Sequence, residues 1–136
     1  MTNELSTETV DRLFAAATKA MHNAYAPYSK FTVGAALLLE NGDIVAGCNV
    51  ENASFGGTIC AERTAIGAAV SQGHRNFKAI CVTTAADVVV SPCGICRQSL
   101  IEFNHDMIVI CATQSGERQT FKARDLLPHA FTSDDL

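Results

Sequence analysis

Apolar residues recur at helical spacing through Val10, Leu13, Phe14, Ala17, Met21 and Tyr25, and Ser6 or Thr7 can cap the start. The pattern predicts an amphipathic helix that Pro27 ends, because proline cannot continue a helical hydrogen-bond ladder. Residues 32–39 read as a strand, Asn41-Gly42 as a tight hairpin turn, and residues 43–48 as the antiparallel partner. The stretch 49–59, rich in Asn, Ser, Gly and Thr, is a loop. Alanine-rich residues 60–72 are predicted helical, with Gly73 as the stop. Residues 78–84 form a strand, Ser91-Pro92 opens a helix over 93–102, and residues 107–112 form the next strand. Strand, helix and strand joined by short connections make a parallel, right-handed crossover. After Ser115-Gly116 come a fifth strand near 118–122 and a helical turn over 123–127 that Pro128 closes. Five strands interleaved with helices imply an α/β fold, with a mixed sheet and helices on its faces.

Length makes this one domain: 136 residues supply one proper core and are too few for two. Residues 1–136 are therefore expected to act as a unit. Apolar residues at 48% and charged residues at 18% exclude intrinsic disorder. No apolar run approaches the roughly 20 residues of a membrane helix, so no membrane partner is expected. The start, Met1 to Ser6, lacks the basic and apolar regions of a secretion signal, and the expected location is cytoplasmic. Net charge is −4 and no basic stripe exists, which argues against long nucleic-acid ligands.

Cysteine placement changes the picture most. Six cysteines in a reducing compartment are metal-binding, catalytic or simply buried. Cys48, Cys81 and Cys111 lie in β-like segments and read as small core residues. Cys60, Cys93 and Cys96 sit beside Glu62, Arg63, Pro92, Gly94 and Arg97, at two expected helix starts. A helix N-terminus carries roughly half a positive charge and favours the thiolate that a metal requires. Three thiolates can occupy three corners of a zinc tetrahedron and leave the fourth open, as in catalytic sites.

Glu62, two residues after a ligand, can take a proton from an activated water and return it to a leaving amine. Zinc with three thiolates sums to a net charge of −1, which blunts its Lewis acidity. A guanidinium at ~4 Å offsets this by about 4 kcal/mol at an effective dielectric near 20, and Arg63 and Arg97 are placed to supply it. Two other readings use the same residues. A thioredoxin-like redox pair would leave Cys60-Ala61-Glu62 without a role and lacks the usual tryptophan. A closed structural zinc would need a fourth ligand, from His105 or Cys48.

Cys-Ala-Glu followed by Pro-Cys-Gly-Ile-Cys has the form of the zinc nucleobase deaminase motif. With Tyr25-Ala26-Pro27-Tyr28-Ser29-Lys30-Phe31, Gly47-Cys48-Asn49-Val50-Glu51-Asn52-Ala53, Ser91-Pro92-Cys93-Gly94-Ile95-Cys96-Arg97-Gln98 and Leu126-Leu127-Pro128-His129-Ala130-Phe131, the chain resembles the small homotetrameric cytidine deaminases. The resemblance implies a three-layer αβα sandwich around a mixed five-stranded sheet. It also implies one Zn²⁺ per chain on Cys60, Cys93 and Cys96, and Glu62 as the proton shuttle. The implied reaction is hydrolysis of cytidine and deoxycytidine to uridine and deoxyuridine with release of ammonia, in pyrimidine salvage.

By the same resemblance Asn49 and Glu51 bind the ribose 3′-hydroxyl, Phe31 packs on the pyrimidine, and the backbone of Ala61 holds the base carbonyl. Ala53 and Phe55 match positions that approach the 5′-hydroxyl across a subunit boundary, and Phe131 one that a neighbouring subunit delivers. Position 55 is Phe where relatives commonly have Tyr, so a contact through a tyrosine hydroxyl is lost. A related deaminase acting on a cytosine-bearing antibiotic, like blasticidin-S deaminase, shares the zinc motif. The Asn49-Glu51 pair argues for the plain nucleoside.

Overall fold

The computed structural model describes residues 5–136; the secretion-signal expectation rests largely on residues 1–4, which lie outside them. Helix α1 (Thr7–Met21) leads into the hairpin β1 (Val33–Leu39) and β2 (Ile44–Cys48), then α2 (Ala61–Ser71) and β3 (Phe77–Thr84). The chain continues through α3 (Gly94–Phe103), β4 (Ile108–Thr113), β5 (Arg118–Lys122) and α4 (Ala123–Leu126). One five-stranded sheet results, in the order β2-β1-β3-β4-β5. Only β3 and β4 pair in parallel; the other neighbours are antiparallel. No helix among the described residues is long and apolar enough to cross a membrane.

The sheet has helices on both faces. On one side Leu13 and Ala17 of α1 pack against Ala36, Leu38, Ala79, Cys81, Ile110 and Ala112. On the other, Ala61, Ala65, Leu100, Ile101 and Leu126 cover Leu37, Ile80, Val82, Val109 and Cys111. Alternate residues of β1 and β4 thus serve opposite cores, as a two-residue side-chain period demands. Phe77 breaks the alternation. The β1–β3 register shifts between Leu38 and Leu39, leaving Lys78 as an extra residue, and this bulge turns Phe77 into the α2–α3 core.

Helix α1 stops at Met21, six positions short of Pro27. Tyr25, expected on its apolar stripe, instead bridges Val50, with its amide bonded to the Asn49 carbonyl. A long-range backbone pair outweighs local helical spacing here. Cys81 and Cys111 are buried as expected, and burial pushes their thiols up to about 12 and about 11. Cys48 is only half-buried.

Two glycines set the distance between helices and sheet. A Cβ on Gly34 would lie 1.9 Å from the Ala17 carbonyl oxygen, so α1 rests directly on the β1 backbone. A Cβ on Gly47 would lie 2.5 Å from the Ala65 amide nitrogen and 2.9 Å from the Ala61 carbonyl oxygen. The first turn of α2 is therefore seated on bare β2 backbone.

Candidate active site

Strands β2 and β3 are both antiparallel to β1 and so run in the same direction. Their carboxyl ends open at one edge of the sheet, the place where α/β folds leave a crevice. Helix α2 begins shortly after β2 and α3 after β3, both on the same face. Two helix N-termini thereby meet above the strand ends. A cleft of about 270 Å³ lies there, lined by Phe31, Val33, Asn49, Glu51, Cys60, Glu62, Val82, Thr84, Val90 and Cys93 among others.

Cys60 is the N-cap of α2 and Cys93 the N-cap of α3, while Cys96 stands fully buried in the first turn of α3. Their sulfurs all lie within 4.8 Å of one another, and those of Cys60 and Cys93 are 3.7 Å apart. Among the described residues this is the one cluster of three or more potential ligands. Neither His105 nor Cys48 joins it, so the closed structural zinc finds no fourth ligand among the described residues.

The electrostatics favour thiolate at Cys60. The neighbouring Cys96 thiol leads the effects that hold Cys60 down to about 5, with Cys93 and Arg63 adding to it. Cys96 is correspondingly pushed up. Arg63 donates to the Thr58 carbonyl at 3.2 Å and lies against the sulfurs of Cys60 and Cys96. Its Nε is the one buried side-chain polar atom without a partner among the described residues. A guanidinium beside these sulfurs favours their thiolate form, so the donor set and its surroundings fit Zn²⁺.

Arg97, expected beside Arg63 as a charge offset, has a different attachment. Its guanidinium donates to the Pro92 carbonyl at 2.7 Å, the Leu126 carbonyl at 2.9 Å and Ser91 Oγ at 2.7 Å. It clamps the loop that carries Cys93 to the end of α4. Glu62 is 4% exposed, at the cleft wall and outside the sulfur cluster. Burial holds its carboxyl above the ordinary carboxylate range, and the Cys60 charge adds to that.

At the other side of the cleft Asn49 is nearly buried and clamps the neighbouring chain. Its Oδ1 accepts from the Val33 amide and its Nδ2 donates to the Phe31 carbonyl, both at 2.9 Å. Glu51 Oε1 accepts the amides of Tyr28 and Ser29 at 3.0 and 3.1 Å. The Ser29 hydroxyl donates to Oε2 and leads the effects that keep this carboxyl below its usual range. Phe31, 38% exposed, forms part of the wall. Ala61 opens α2, where the Cys60 side chain caps no amide.

Ala53, Phe55 and Phe131 lie outside the lining of this cleft. Phe55 is 74% exposed, with its ring edge-on to Tyr28 at 6.0 Å, and Phe131 is 59% exposed. Sequence reasoning passed over Ser29, Val33, Thr58, Val82, Thr84 and Val90. Val82 and Thr84 end β3, and the rule that ligands bind at strand carboxyl ends could have found them.

An αβα sandwich that gathers three thiols and a buried carboxylate at such an edge has the parts of a zinc-dependent hydrolytic site. Residues 7–112 match the cytidine and deoxycytidylate deaminase zinc-binding region. The chain is 49% identical over 128 residues to the cytidine deaminase of Sporosarcina psychrophila, covering 93% of this chain and 94% of the relative. It is 44% identical over 135 residues to a probable cytidine deaminase of Dictyostelium discoideum, covering 97% and 90%. The crystal structure of cytidine deaminase from Burkholderia pseudomallei superposes with a TM-score of 0.87 at 43% identity, covering 93% of this chain and all of that one. This chain belongs to the cytidine and deoxycytidylate deaminase family.

Proposed function

We infer that this protein hydrolyses cytidine and deoxycytidine to uridine and deoxyuridine, with release of ammonia, as a step of pyrimidine salvage. The observation that carries this reading is one cleft whose lining combines two chemically distinct groups of side chains. Cys60, Cys93 and Glu62 line it together with Asn49, Glu51 and Phe31, and the buried Cys96 sulfur stands within 4.8 Å of the other two sulfurs.

Cys60, Cys93 and Cys96 would hold one Zn²⁺ per chain, which when bound supplies a Lewis acid that makes water nucleophilic near neutral pH. Glu62 takes a proton from the attacking water on its carboxylate and delivers it to the departing amine nitrogen. The raised affinity of Glu62 for a proton suits a group that must both accept and give one. Arg63 offsets the thiolate charge at Cys60 and Cys96. The Ala61 amide at the start of α2 holds the base carbonyl oxygen, and Phe31 packs on the pyrimidine. Asn49 and Glu51 bind the sugar 3′-hydroxyl, and a site built to satisfy a hydroxyl discriminates against analogues lacking it. Zinc-loaded protein is expected to release ammonia from cytidine in a continuous assay. Zinc-loaded, folded protein without ammonia release from cytidine or deoxycytidine would overturn the reading.

The assembly belongs to the same inference: a homotetramer with shared sites. Phe131 follows Pro128 on the tail, 59% exposed, and only its carbonyl is engaged, by Gln98 Nε2 at 2.7 Å. An exposed aromatic at that place suits burial in a neighbour's cleft, with Phe55 and Ala53 delivered in the same reciprocal way. Deleting residues 131–136 should raise KM for cytidine about tenfold while bound zinc stays at one per chain. A truncated monomer, by sedimentation, with unchanged KM would exclude the shared site. A single sheet with a core on each face supports one domain over residues 1–136. The free thiols of all six cysteines suit a reducing, cytoplasmic setting.

A further inference from the structure

We propose that Ser29 is a positioning residue for the nucleoside, its hydroxyl tying the carboxylate that reads the sugar to the backbone of the aromatic that faces the base. The proposal rests on the roles assigned above to Glu51 and Phe31. Ser29 lines the same cleft as both. Its hydroxyl donates to Glu51 Oε2 and accepts the Phe31 amide at 3.0 Å. Its own amide donates to Glu51 Oε1 at 3.1 Å, beside that of Tyr28 at 3.0 Å.

A carboxylate offers about four acceptor sites, and its terminal torsion is otherwise broad. Three donors from one short segment stop that rotation and leave an acceptor site free for a sugar hydroxyl. Two of the three come from Ser29, and its hydroxyl alone reaches Oε2. The same hydroxyl acts on Phe31 from the other direction. Lys30 stands between them with φ 61°, in the left-handed region that L residues rarely adopt. The Ser29 hydroxyl to Phe31 amide bond spans that residue and secures the turn. Asn49 holds Phe31 by its carbonyl and Ser29 by its amide, so the ring is carried on a backbone fixed at both ends. The low pKa of Glu51, led by the Ser29 hydroxyl, agrees with a carboxylate held ready to accept.

The test is steady-state kinetics on cytidine and 3′-deoxycytidine with wild-type protein, Ser29→Ala, Ser29→Thr and Glu51→Gln, with zinc measured in each. Ser29→Ala should raise KM for cytidine about tenfold and reduce the preference for cytidine over 3′-deoxycytidine about tenfold, the scale of one charge-assisted hydrogen bond. Its kcat should stay within about twofold and its zinc content unchanged, because no reacting group moves. Ser29→Thr keeps the hydroxyl and should recover wild-type values to within about threefold. An unchanged preference in Ser29→Ala, with the preference lost in Glu51→Gln, would overturn the role of Ser29 and leave Glu51 standing. A preference retained in Glu51→Gln would overturn the sugar-binding reading and this proposal with it. Failure of Ser29→Thr to recover would mean that loop geometry, not the hydroxyl, is what the alanine removes, and would also overturn the proposal.

Discussion

Glu62→Gln should keep one zinc per chain and lose about 10³–10⁴-fold in turnover of cytidine. The amide has the same shape and fills the same 4% exposed place at the start of α2, so packing survives. It cannot take or give a proton at the positions where the carboxylate does. Because the amide keeps the volume of this buried place, the melting temperature should hold while activity collapses. Ammonia release, metal analysis and thermal unfolding on one preparation give the answer. Full turnover in Glu62→Gln would remove this residue from the mechanism.

Cys96→Ala should remove zinc, activity and part of the stability together. Cys96 is completely buried and its sulfur is one of three within 4.8 Å. The described residues offer no substitute ligand, so two sulfurs remain where the metal needs three. Zinc content should fall well below one per chain, and turnover by at least about 10³-fold, since both the Lewis acid and its placement go. Metal binding stabilises the folded state by its own affinity, so the unfolding temperature of the purified variant should drop by several degrees. Cys111→Ala is the control: a buried thiol pushed up to about 11 in the sheet, outside the cluster. It should keep its zinc. A Cys96→Ala protein with one zinc per chain and normal turnover would defeat the ligand assignment.

Much of this architecture was legible because hydrophobic period reports which residues face a core. The strand at 118–122 has the expected limits in the structure, and no other strand limit differs by more than one residue. The end of α1 was not legible, because Tyr25 answers to Val50, twenty-five residues on, rather than to its helical neighbours. Nor was the bulge at Lys78, which depends on how β1 lies alongside. In the site, helix-start cysteines and the adjacent Glu62 could be read because thiolates and helix N-termini suit each other. Arg63 and Arg97 looked equivalent in sequence. Only the fold shows one guanidinium beside sulfurs and the other bound to Pro92, Leu126 and Ser91. Ser29 stands in the Tyr25 to Phe31 stretch of the resemblance, yet its role was not legible, since a serine in a turn is ordinary until the carboxylate it meets is known.

The missing side chain at Gly47 has a consequence for anyone who would redesign this pocket for bulkier bases. One wall is immovable. The first turn of α2 lies on β2 with no atom to spare, and Cys60 and Glu62 ride on that turn, so enlarging Gly47 would displace them. Another part of the lining is different in kind. Val90 is 37% exposed and sits in the segment 85–92, which has neither helix nor strand and is tethered at its far end by Arg97. Trimming Val90 to Ala or Gly widens the opening from the side that bears no regular structure. Libraries aimed at new substrates should therefore vary Val90 and leave the glycine-seated helix untouched.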